Sequence, residues 1–198
     1  VASWLLRDDL TDTIPAFIQL AEAKLARDVR RKTLRATLTV DAYANDLSSL
    51  ENFGELRSLA LGTSDPSLDL PIQIGSMEQL IEMRARMTTP GRPRFAAVVA
   101  DELLVGPTPD DTYTGEATYF ERLVPLSDTQ TTNSLLTEAP DLYLWATLLM
   151  AAPYLEHDER IQTWLNYYND AVAGLTAKRD QEEFAASLRP IRLPIVFG

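Results

Sequence analysis

The spacing of apolar residues changes along this chain, and each change marks a boundary. Ile14, Phe17, Ile18, Ala21, Leu25 and Val29 recur at the spacing of one helical face. Thr13 is placed to cap that helix, and Pro15 suits its first turn. From Thr33 the period drops to two. Leu34, Ala36, Leu38, Val40 and Ala42 alternate with Thr33, Arg35, Thr37, Thr39 and Asp41, the signature of a half-buried strand. Further strands are predicted over 55–61, 68–74, 94–100, 102–105 and 113–123, with Asp101 in a tight hairpin. Gly54, Gly62, Asp65-Pro66, Gly91, Pro93 and the Gly-Pro-Thr-Pro-Asp-Asp cluster at 106–111 separate these runs as turns. One helix, 77–87, interrupts the strands. Ser76 caps it, and Gln79 is positioned to complete a capping box.

Beyond a polar loop at 126–137, with a helical turn at 134–136, Pro140 opens another helix. Residues 142–155 carry no charge on any face, so protein must surround that helix. Pro153 should bend or end it by removing a backbone donor. Residues 156–159 then form a turn, with Asp158 as candidate cap. Ile161, Trp164, Leu165, Tyr168, Ala171, Val172 and Leu175 form the stripe of a last helix reaching about Phe184, spaced as in an antiparallel helix pair. The pattern predicts an α+β protein. An α-helical bundle (1–32 and 126–184), made of an N-terminal helix and two long C-terminal helices, carries a β-rich insertion (33–125). An extended arm (185–198) closes the chain.

Composition narrows the class. A chain of 198 residues that is 45% apolar has enough material for a real core. The absence of cysteine excludes disulfides, zinc–thiolate sites, iron–sulfur clusters and thiol catalysis. A net charge of −11 argues against a free-standing nucleic-acid binder and favours solubility and a protein partner. Trp4, Leu5 and Leu6 are followed by Asp8 and Asp9, which is not the pattern of a signal peptide. The uncharged run 142–155 falls short of the roughly 20 residues that a membrane span needs. The expectation is a soluble intracellular protein without a membrane partner.

Candidate chemistry is sparse. His157 is the only histidine, and its neighbours Glu156, Asp158 and Glu159 suit a helix–helix turn better than a metal site, because adjacent residues rarely converge on one ion. Asp8-Asp9 and Asp110-Asp111 sit where turns or caps are expected. No nucleophile elbow, Ser-x-x-Lys motif or glycine-rich phosphate loop occurs. No catalytic, cofactor-binding or metal residue is predicted, and the chain reads as a non-enzyme. Lys24, Arg27, Arg30 and Arg31 form one basic cluster, with Lys32 and Arg35 beside it. It is either a solvated helix face or a contact for DNA or an acidic partner. Arg84, Arg86, Arg92 and Arg94 form a looser second cluster. The tail combines Pro190 and Pro194 with Leu188, Arg189, Ile191, Arg192, Leu193, Ile195, Val196 and Phe197. So apolar a segment either folds back on its own chain or docks on another subunit as an arm.

Residues 126–164 carry a recognisable pattern: Leu126-Ser127-Asp128, Thr132-Asn133-Ser134-Leu135-Leu136-Thr137, Ala139-Pro140-Asp141, Tyr143-Leu144, Ala151-Ala152-Pro153-Tyr154-Leu155, Asp158-Glu159-Arg160 and Trp164. The pattern resembles the C-terminal half of phage head-to-tail adaptor (connector) proteins of short-tailed phages. Ser134 departs from it, where an aromatic is expected. The runs at 14–22 and 55–59 also look similar. The resemblance implies a structural virion protein at the head–tail junction, made in the host cytoplasm. It implies a homo-oligomeric ring, usually of twelve copies, beneath the portal protein. Such a ring extends the DNA channel without sequence-specific binding and docks a tail or nozzle protein. The tail residues from Leu188 to Phe197 named above would then contact the portal or a neighbouring subunit. Other readings are a different virion component, such as a tail-nozzle or head-completion protein, or a small-ligand-binding or enzymatic domain on the β insertion.

Overall fold

Two compact units make up the chain in a computed structural model that describes residues 1–5, 9–62, 70–155 and 159–187. One unit joins Val1–Arg30 to Leu123–Gly198; the other is Arg31–Arg122.

In the second unit, strands β1 (Thr33–Val40), β3 (Phe53–Gly62), β4 (Leu70–Pro71) and β8 (Tyr113–Glu121) form an antiparallel sheet in the order β1-β8-β3-β4. A second sheet has the order β2-β7-β6-β5, from β2 (Ala44–Asp46), β5 (Gln73–Ile74), β6 (Phe95–Val99) and β7 (Glu102–Gly106). Among the described strands only β5 pairs in parallel, with β6. The inner faces of both sheets supply one core: Leu38, Val40, Leu56, Leu59, Leu61, Ala96, Leu103, Val105, Ala117 and Tyr119. The outer face of β6 and β7 is covered too. Phe95, Ala97 and Leu104 pack with Leu80 of helix α3 (Met77–Arg86). Burial on both faces explains why β6 opens Phe-Ala-Ala-Val rather than alternating.

In β3 the buried positions fall at Phe53, Leu56, Leu59 and Leu61. The strict two-residue period is broken by register shifts between Phe53 and Glu55 and between Leu56 and Ser58, each of which adds a residue and turns the strand over. Central β8 alternates without fault. Its Gly115 is required by close approach, because a Cβ there would lie 1.8 Å from the Ala60 carbonyl oxygen. The capping box of α3 is realised, with Ser76 Oγ accepting from Gln79 N and Gln79 Oε1 accepting from Ser76 N. The expected strand 68–74 is split between the two sheets, and the short strand β2 was not anticipated.

The other unit contains α1 (Ala2–Leu5), α2 (Ile14–Asp28), α4 (Ser134–Glu138), α5 (Pro140–Ala151) and α6 (Ile161–Ser187). Every residue at positions 142–151 is buried or half-buried, as an uncharged helix requires. Ala21, Leu25, Leu142, Ala146, Tyr168 and Leu175 form one core cluster. Leu5, Leu10, Phe17, Leu148, Ala151 and Trp164 form a second. Among the described residues, no helix is long and apolar enough to cross a membrane.

The expected helical bundle with two long C-terminal helices is not found. Helix α5 has 12 residues and tightens into a 3₁₀ turn at Ala152–Tyr154, where Pro153 withdraws its backbone donor. Among the described helices only α6, with 27 residues, is long. The fold is α+β with two sheets, and its helical part is one long helix among short ones. Thr13 stands at the cap of α2 but makes no capping hydrogen bond, because a 3₁₀ turn (Thr11–Thr13) runs directly into the helix.

Candidate functional site

The patterned segment at 126–164 is organised around Asn133. Its side chain caps α4 by accepting from Leu136 N at 2.8 Å. Its amide donates to the Val124 carbonyl at 2.8 Å and to the Tyr143 hydroxyl at 2.6 Å. Tyr143 Oη donates to Glu22 Oε1 at 3.1 Å, and the same carboxylate oxygen accepts from Leu126 N at 2.8 Å. Glu22, Asn133 and Tyr143 are all buried. Burial, reinforced by the nearby Glu22 charge, pushes the Tyr143 hydroxyl well above its ordinary value, so it stays a donor. Thr137 Oγ1 donates to Asn133 O at 2.9 Å. A loop, α2, α4 and α5 are thereby tied together by one fully bonded network. Periodicity could not have found Glu22, which falls one position off the apolar stripe. The Asn-x-x-Leu spacing of the cap was the one legible signal.

A second polar cluster holds α6. Arg179 is buried and donates to Glu138 Oε2 at 2.9 Å and to the Arg30 carbonyl. Lys178 Nζ reaches Glu138 Oε1 at 2.7 Å. Burial raises the Glu138 carboxyl, but the hydrogen bonds from Lys178 and Arg179 outweigh it and hold the group below its ordinary value.

The basic cluster is largely engaged with carboxylates. Lys24 pairs with Asp28 at 2.6 Å and lies over the Tyr168 ring. The Lys24 hydrogen bond, and a second from Tyr168, hold Asp28 below its ordinary value. Arg30 bridges Asp180 and Glu183 of α6. Arg31, in the β unit, pairs with Glu55 and stacks on Phe120. Arg27 is exposed and makes no ion pair among the described residues. The second cluster is similarly occupied: Arg84 stacks on Tyr43, Arg86 pairs with Glu82, and Arg92 donates to the Leu61 carbonyl.

Asp110 accepts from the Tyr113 hydroxyl at 2.6 Å, and that bond pushes Tyr113 up to about 12. Asp111 accepts from Thr112 N. Both acids build the turn before β8. Among the described residues, no group of three or more His, Cys, Asp or Glu side chains is placed to hold a metal ion. His157 lies outside the described residues, as do the tail positions Leu188, Arg189, Ile191, Arg192, Leu193, Ile195, Val196 and Phe197.

What the helical unit offers a partner is surface. Trp4 stacks edge-on against Trp145, which in turn contacts Tyr167 of α6, and Trp4 and Tyr167 are each 49% exposed. Leu20 of α2 is 55% exposed. Aromatic and apolar side chains left in water at this density are the raw material of protein interfaces.

The family model described as SU10 adaptor protein matches residues 1–193. No curated protein matches the chain.

Proposed function

The chain belongs to the SU10 adaptor protein family, structural adaptors of bacteriophage particles, and we propose that it forms a ring, of twelve copies, beneath the portal. In that position it extends the DNA channel and presents a platform to the tail or nozzle protein. The observation that carries this reading is the family match, which spans both units. Two physical features support it. A net charge of −11 suits a conduit wall, because like charge keeps a passing genome from adhering. The helical unit is keyed internally by buried polar networks, so it can take load while its outer faces bind neighbours. The tail from Leu188 to Phe197 is the proposed attachment arm, to portal or to a neighbouring subunit.

Electron microscopy of the protein with and without its portal tests the ring. Rings, or portals capped by rings, are expected; a persistent monomer indifferent to portal would overturn the reading. Truncation before Leu188 should abolish docking or ring formation while circular dichroism stays unchanged. Normal assembly of the truncated chain would remove the arm from the proposal.

A further inference from the structure

We infer that neighbouring copies pack head to tail through two different helix faces of the helical unit. The outer face of α2, with Leu20, Ala23 and Arg27, meets the outer face of α6, with Asp170, Ala173 and Ala177. This rests on the ring reading above and names the surfaces that build it.

Each face lies opposite a buried stripe. Helix α2 buries Phe17, Ala21 and Leu25, which leaves Ala16, Leu20, Ala23 and Arg27 turned outward at helical spacing. Helix α6 buries Trp164, Tyr168, Leu175 and Arg179, which leaves Asp170, Ala173 and Ala177 outward. Both faces are poor in charge. In a chain that is 24% charged, residues 161–177 contain one charged side chain, Asp170. The exposed residues of α2 between Pro15 and Arg27 include no carboxylate, although the chain has 29 acids to 18 bases. Such faces are the kind that helices bury against other helices.

Charge decides the partner. The α2 face carries Arg27, which has no ion pair among the described residues. The α6 face carries Asp170 and no cation as far as Ala177. Like faces would oppose like charges, whereas unlike faces set Arg27 against Asp170. Ala16 and Ala23 on α2 and Ala173 and Ala177 on α6 are small, which lets helix axes approach to the ~8–10 Å of tight packing. Gly174 adds to this. Among the described residues nothing lies within 4 Å of a Cβ placed there, so their packing does not ask for a glycine. A contact between two different faces leaves one of each unpaired on every copy, so it propagates and closes a ring instead of stopping at a pair.

The absence of native cysteine gives a clean test. The full-length chain carrying Ala23→Cys and Ala173→Cys, in virions and as concentrated protein, is treated with a short bis-maleimide. Native mass spectrometry of the same preparations reports the oligomer. The expected result is a covalent ladder above dimer on a denaturing gel, with each single-cysteine chain remaining a monomer; a dimer from either single-cysteine chain would show like faces meeting and overturn the pairing. An oligomer by mass without a ladder, or a cross-link confined to one chain, overturns this interface and leaves the ring reading standing. Absence of any oligomer in both preparations overturns the ring reading itself. Charge reversal gives the second arm. Arg27→Glu and Asp170→Arg should each lower oligomer yield at least tenfold, and the double variant should recover most of it. A double variant no better than the worse single overturns the pairing.

Discussion

The two units reach stability by different means. The β unit is an apolar sandwich, whose core between the sheets consists of Leu, Val, Ile, Ala, Phe and Tyr side chains from alternating positions. The helical unit is smaller in its apolar clusters and is keyed by buried polar groups, Glu22–Tyr143–Asn133 at one place and Arg179–Glu138 at another. An apolar core accepts many residues of similar volume, whereas a polar network accepts few, since each buried donor and acceptor needs its own partner. The recognisable sequence pattern therefore sits on the keyed unit.

One exchange to an apolar side chain in each unit separates the two directly. Asn133→Leu keeps the branched shape but removes the α4 cap, leaves the Leu136 N–H and the Val124 carbonyl without their partner and takes one hydrogen bond from the Tyr143 hydroxyl, a loss of about 3–4 kcal/mol. Leu59→Met in the sandwich core should cost less than about 1.5 kcal/mol. All three tryptophans, Trp4, Trp145 and Trp164, lie in the helical unit, so their fluorescence in urea reports that unit alone. Equal costs for the two exchanges would break the comparison.

Next in size is Arg179→Met, expected to lose about 2 kcal/mol, the scale of hydrogen bonds to a charged group. Its pH signature is distinct. The folded state holds the Glu138 carboxyl below its usual 4.5, so this group stabilises the fold fully above that pH. The contribution is lost as pH falls through the lower, folded value. Glu138→Gln should flatten the acid limb of the tryptophan-detected stability curve below pH 4.5 while leaving the β unit's limb unchanged. An unaltered limb would show that the cluster does not contribute to acid stability.

Legibility followed the same division. Strands β1 and β8, the capping box of α3 and the starts of α2 and α5 were readable, because period and cap chemistry are local. What escaped depended on partners distant in sequence. Strand β2 has three residues, too few for a period, and is held by pairing with β7. Residues 68–74 read as one strand because nothing local says that Leu70 and Gln73 pair with different sheets. At the site level, a basic cluster was visible, but not that Asp28, Asp180, Glu183 and Glu55 would occupy most of it. The apolar stripe of α6 was legible, but the low charge of its other faces at 161–177 formed no part of that expectation. Only the helix geometry revealed that much of that stretch faces outward.

Two smaller effects belong to the β unit and should leave the tryptophan transition untouched. Ser76→Ala removes the α3 cap and should cost about 1 kcal/mol, read by far-ultraviolet circular dichroism. The smallest change has the opposite sign. Ala100 sits at φ 55 in the turn between β6 and β7, where an L side chain crowds its own backbone. Ala100→Gly relieves that crowding, about 1–2 kcal/mol, but gives back roughly 0.5–1 kcal/mol through the greater freedom of glycine in the unfolded chain. A net gain of roughly 0–1.5 kcal/mol, centred below 1, should appear in the circular-dichroism transition alone. If tryptophan fluorescence shifts with it, the two units unfold as one, and the contrast between a tolerant sandwich and a keyed helical unit would have to be drawn within a single cooperative structure.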